Sequence, residues 1–78
     1  MKVYVQAKSK KQVNELLAAG EQIGAVEYNA FNPNGYVTHH ILNELEDGAA
    51  VSIFEKYVGG QPYAKAYGTF DRNKMRLK

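Results

Sequence analysis

Hydrophobic and polar residues alternate in two runs near the end of the chain, AVSIFEKYV and QPYAKAYGTF, and Gly59-Gly60 joins them. A Gly-Gly pair between such runs predicts a two-residue hairpin, because a type I′ turn places both central residues at φ > 0. That turn sets Val58 opposite Gln61 and carries a register with it. Lys56 then opposes Tyr63, Phe54 opposes Lys65, Ile53 opposes Ala66 and Ser52 opposes Tyr67. Because side chains alternate across a strand, the hairpin has two unlike faces. One holds Val51, Ile53, Ala64, Ala66 and Phe70, which suit a core. The other holds Phe54, Lys56, Tyr63, Lys65 and Tyr67, which are aromatic and basic.

Upstream, Val3, Val5 and Ala7 share one side of an alternating stretch and predict a half-buried strand. Ser9 with Gln12 fits a capping box, and Val13, Leu16 and Leu17 follow as an apolar helical stripe. Gly20 suits a left-handed helix end, so a helix is expected at about 10–19. Residues 22–28 read as a second strand, and Asn29 to Gly35 (NAFNPNG) as a loop of turn formers. In the segment 36–46, alternation of Val37, His39 and Ile41 favours a strand over 36–41 and a loop to Gly48. The four-residue spacing of Val37, Ile41 and Leu45 offers a helix as the alternative. Asp71-Arg72-Asn73 reads as a turn, with Met75 and Leu77 on a last edge strand. The expected fold is α+β in a single domain spanning residues 1–78. One helix packs on a mostly antiparallel sheet of about five strands in the order β-α-β-β-β-β. If the two strands flanking the helix are neighbours, a right-handed crossover would make them parallel.

Composition narrows the function classes. The chain has 78 residues, 45% of them hydrophobic and 23% charged, which is ordinary for a small globular domain. It contains no cysteine, which excludes disulfides, thiolate metal ligands and thiol catalysis. No apolar run reaches membrane-spanning length, and the polar start MKVYVQAKSKK does not resemble a signal peptide. A cytoplasmic protein without a membrane partner is therefore expected. The net charge of +2 conceals segregation. Residues 1–20 hold Lys2, Lys8, Lys10 and Lys11 against Glu15. Residues 21–48 hold Glu21, Glu27, Glu44, Glu46 and Asp47 with no Lys or Arg. Residues 49–78 hold Lys56, Lys65, Arg72, Lys74, Arg76 and Lys78 against Glu55 and Asp71. Neighbouring chain ends would make one basic patch.

The candidate chemistry is binding, not reaction. On the hairpin, Phe54, Tyr63 and Tyr67 could stack the bases of single-stranded RNA or DNA at roughly 1–3 kcal/mol per base, while Lys56 and Lys65 meet phosphates. The same rings could equally be good strand formers that a helix buries. The small residues Ala64, Ala66 and Gly68 on the opposite face offer that helix a closer seat, which would leave the rings exposed. Lys10 and Lys11 crowd a helix start where the dipole prefers anions, so a phosphate there would use the lysines and the free amides. Arg72 and Arg76 belong to a basic row that would suit a phosphate backbone or protect an edge strand. His39 and His40 point to opposite sides of a strand and do not form a metal site. No residue set resembles a nucleophile with its base, so neither an enzyme nor a cofactor is expected.

At the segment GGQPYAKAYGTF, together with the short length and the absence of cysteine, the chain resembles small accessory proteins of tailed bacteriophages. Many of these inhibit host factors or antiviral systems, and some are similar to RNA-binding inhibitors of toxin nucleases. The resemblance implies a non-enzymatic inhibitor, working in host cytoplasm. Two functions follow as expectations: a module for single-stranded nucleic acid, RNA above all, or a protein-binding inhibitor of a host or antiviral factor. Open sheet edges also allow a homo-oligomer.

Overall fold

A computed structural model describes residues 1–28 and 37–78. Its elements are β1 (Lys2–Gln6), α1 (Lys10–Ala18), β2 (Gly24–Tyr28), β3 (Val37–Ile41), a 3₁₀ turn (Leu42–Glu44), β4 (Ala50–Phe54), β5 (Tyr57–Val58), β6 (Gln61–Pro62), β7 (Ala66–Asp71) and β8 (Arg76–Leu77). Six strands form one sheet in the order β3-β2-β1-β4-β7-β8, and β5 pairs with β6 as a separate ribbon. The expected loop over 29–35 lies outside the described residues.

The α+β class holds, with one more sheet strand than expected. The parallel pair, however, is elsewhere. β1 and β2 are neighbours but antiparallel, in the register Tyr4↔Val26. β1 instead runs parallel to β4, from Lys2↔Ala50 to Gln6↔Phe54. The reason is where the helix goes. α1 does not return over β1 to build a crossover. It lies over β7 and β8 at the other end of the sheet. Asn14 holds it there, donating to the Leu77 carbonyl at 3.1 Å and accepting from the Leu77 amide at 2.7 Å.

The helix start is as the sequence predicts. The Ser9 hydroxyl accepts from the Gln12 amide at 3.0 Å. Gln12 Oε1 reaches back one residue further than in a standard capping box and accepts from the Lys8 amide at 2.8 Å. Gly20 has φ +80° just beyond the helix. Val13 and Leu17 are buried, but Leu16 lies exposed at the margin of the expected stripe. Residues 37–41 form a strand rather than the alternative helix.

The hairpin register is confirmed at both ends. Gly59 and Gly60 have φ +59° and +79°. Val58 pairs with Gln61, Ile53 with Ala66 and Ser52 with Tyr67. Between these ends the ladder opens, and Phe54–Lys65 and Lys56–Tyr63 are not strand pairs. Residues 55–65 therefore leave the sheet as an arm, without a register slip. After Asp71 the chain turns through Arg72–Met75 into β8. The Asp71 carboxylate accepts from the Lys74 amide at 3.1 Å, and Met75 takes a left-handed φ of +52°. Met75 therefore ends the turn, and the last strand begins at Arg76.

Alternation and register assign two faces. Val3, Val5, Ala25, Val51, Ile53, Ala66, Gly68, Phe70 and Leu77 share the covered face. Val13 and Leu17 of α1, with Leu42, Leu45 and Ala49, close it into one core. The 42–49 segment is thus a second cover beside the helix, and it brings Glu44, Glu46 and Asp47 to that side. Gly68 sits beneath the chain end after β8 and the Lys10 side chain of α1. A Cβ there would stand 2.6 Å from the Lys78 carbonyl and 3.1 Å from Cδ of Lys10. The small-residue face is the seat of the helix.

Candidate functional site

With α1 on the small-residue face, no helix among the described residues covers the aromatic face of the sheet. One lateral row crosses five strands in register on this open face: His39, Val26, Tyr4, Ser52 and Tyr67. Adjacent strands lie about 4.8 Å apart, which sets Tyr4 and Tyr67 about 10 Å from one another across Ser52. Tyr67 is 67% exposed, and Tyr63 on the arm is 61% exposed.

Four rings other than Tyr67 and Tyr63, namely Tyr28, Tyr4, Phe54 and Tyr57, form a connected set. Tyr28 meets Tyr4 edge-to-face with centroids 6.3 Å apart, Tyr4 meets Phe54 at 6.3 Å, and Phe54 meets Tyr57 at 4.8 Å. Such pairs contribute about 0.5–1.5 kcal/mol each beyond area burial. They also correct one expectation. Phe54 is 1% exposed and cannot stack a ligand, because Tyr4 and Tyr57 enclose it. It anchors the base of the arm, while Tyr57 remains 47% exposed.

Charge gathers at the same end. Lys65 Nζ sits 2.9 Å from the Glu55 carboxylate. The hydrogen bond and charge of Lys65 hold the Glu55 carboxyl below its ordinary value, with Lys8 and Lys56 adding to the same effect. Lys65 therefore pairs with one exposed carboxylate where β1 ends and the arm departs, and the charges of Lys8 and Lys56 also act on it. Lys2 lies over the Tyr4 ring at 5.7 Å from its centroid.

Of the sequence-predicted set, Lys65 and Lys56 act on Glu55 at the base of the arm, Tyr63 is exposed on the arm, and Tyr67 is exposed on the open face. Arg76 is on the open face too, paired across strands with Asp71. Three predicted residues do not join. Lys10 and Lys11 lie on α1, beyond the covered face, with Lys11 4.0 Å from Glu15. Arg72 turns away and donates to the carbonyls of Leu45 at 2.7 Å and Asn43 at 3.5 Å, bracing the 42–49 cover. Tyr4, Tyr57 and Lys8 are the members missed from sequence. Tyr4 had a signal, since it alternates against Val3 and Val5, but its place beside the hairpin depends on the β1–β4 pairing.

The two histidines diverge as expected. His39 faces Val26 on the open side, whereas His40 Nε2 contacts Glu27 Oε1 at 2.6 Å on the covered side. Among the described residues no three His, Asp or Glu side chains converge as a metal site, and no helix is long and apolar enough to cross a membrane. The chain matches no protein-family model, no curated protein and no solved structure.

Proposed function

We propose that this chain is a small non-enzymatic binding module whose open sheet face holds single-stranded nucleic acid, RNA foremost. One observation supports the reading: Tyr67 stays more than half exposed on the face opposite the helix, Tyr63 is exposed on the arm, and Lys65, Lys8 and Lys56 all act on Glu55 where the arm departs. An exposed ring on a sheet is a stacking platform for an unpaired base, and the lysines supply the sequence-independent attraction to phosphate. Acidic residues Glu44, Glu46 and Asp47 sit with the cover on the other side, which favours approach to the aromatic face.

The test is fluorescence anisotropy with short single-stranded RNA and DNA across a salt series. Binding should weaken steeply with salt. Tyr67→Ala should cost roughly 1–3 kcal/mol of affinity. Lys56→Ala should weaken all sequences alike and reduce the salt slope by about one unit. Absence of binding at about 100 μM protein and low salt would overturn the reading, since even non-specific phosphate contacts bind in that range.

A protein-directed inhibitor is the second reading, favoured by the arm itself. Tyr57, Val58 and Tyr63 expose apolar surface there. Binding to a protein through that surface would respond far less to salt.

A further inference from the structure

The open face is not flat. A groove of about 250 Å³ lies between β3 and the base of the arm, lined by Tyr4, Gln6, Gly24, Val26, His39 and Tyr57. Phe54 also contributes to its wall. Gly24 is the telling member. Its φ is not left-handed, and a Cβ built there meets nothing within 4 Å among the described residues. Among the described residues, neither a turn nor close packing requires glycine at this strand position, where alanine or a β-branched residue would be the more stable choice. Gly24 shares the open face with Val26 and Tyr4, so the missing side chain leaves the groove open.

We infer that this groove receives one unpaired nucleobase of a single strand whose phosphates are held by Lys8, Lys56 and Lys65. The inference rests on the nucleic-acid reading of this face and adds where a base goes. The chemistry of the lining selects a flat, aromatic occupant with a polar edge. Tyr4 and Tyr57 offer ring surface, Val26 an apolar one, and Gln6, His39 and the tyrosine hydroxyls are the hydrogen-bonding groups. The lysines are adjacent, because Gln6 Nε2 donates to the backbone carbonyl of Glu55 at 3.1 Å, the residue on which their charges act. A ligand with an aromatic base and a neighbouring anion fits both halves.

Gly24→Val fills the groove with a side chain that strands favour, and Gly24→Ala fills it partly. Each is compared with wild type for binding a short single-stranded oligonucleotide and an abasic oligonucleotide of equal length, at low salt. Both variants should keep or raise Tm. Gly24→Val should weaken the base-bearing strand by about tenfold or more, the scale of one lost stacked base. Gly24→Ala should weaken it less, and the abasic strand should bind all three proteins equally. Unchanged binding of the base-bearing strand by a folded Gly24→Val, or by Gly24→Ala if the valine variant does not fold, overturns the groove alone. Equal wild-type affinity for the two strands does the same. Failure of wild type to bind either strand overturns the nucleic-acid reading beneath it.

Discussion

On one face of the sheet, Val3, Val5, Val51, Ile53 and Phe70 lie under α1 and the 42–49 segment, each at most 1% exposed. On the other face of the same strands, Tyr4 and Tyr67 stand in a row that no helix among the described residues covers. Both faces come from the same alternation. What separates them is size at the helix seat. Ala66 and Gly68 leave α1 room to come close on one side, whereas rings on the other side would hold a helix off. Tyr67 is left outward, while Phe70 on the covered face and Phe54 on the other are both buried.

The sharpest way to break this comparison is to truncate one residue on each face. Ile53→Ala should cost about 2–5 kcal/mol, as for a fully buried aliphatic side chain. Tyr67→Ala, on the neighbouring strand but outward, should change stability by less than about 0.5 kcal/mol. Denaturant unfolding measures both, and comparable losses would contradict the assignment of faces.

The turn is the next lever. Replacing Gly59-Gly60 with Val-Val forces two β-branched residues to φ > 0, at about 1–2 kcal/mol each. Because the pair caps an arm that stands off the sheet, the loss is limited by the stability of the arm itself. Amide exchange at Val58 and Gln61 should accelerate while Val51 and Ile53 remain protected. Equal acceleration at all four would mean that arm and sheet unfold as one unit.

Ser9→Ala removes the cap seen at Gln12 and should cost about 1 kcal/mol, with Tm as the readout. A wild-type Tm would argue against the cap.

The smallest effect concerns pH. Glu55 has its folded pKa lowered, chiefly by Lys65. Its contribution is therefore present above the ordinary carboxylate pKa and fades as pH falls through and below that value. Since Glu55 is exposed to solvent, the change should be slight and confined to the arm. Lys65→Ala should move the Glu55 titration upward by NMR, and an unmoved titration would sink the pairing.

Much of this was legible in the sequence. Local chemistry was readable because it acts over a few residues: the Ser9 cap, the Gly59-Gly60 turn, and the register that this turn transmits as far as Ser52 and Tyr67. Long-range placement was not. The parallel β1–β4 pairing joins residues 48 apart in the chain, and nothing near Lys2 or Ala50 announces it. That pairing is what brings Tyr4 to the aromatic row. The position of α1 over β7 and β8 likewise depends on Asn14 finding Leu77, and it removes Lys10 and Lys11 from the open face. Phe54 was misjudged for a related reason. Alternation gives its face correctly, but only contact with Tyr4 and Tyr57 reveals that it is enclosed. Arg72 shows the same limit, since its partners are carbonyls, which leave no mark in sequence.

The most direct measurement is an amide chemical-shift titration with a short single-stranded RNA. Shifts should concentrate at Tyr4, Lys8, Lys56, Tyr63 and Tyr67, and Val13, Leu17 and Leu45 under and within the covered face should stay still. Shifts confined to α1 and the 42–49 segment, or none at saturating RNA, would contradict an open aromatic face as the binding surface.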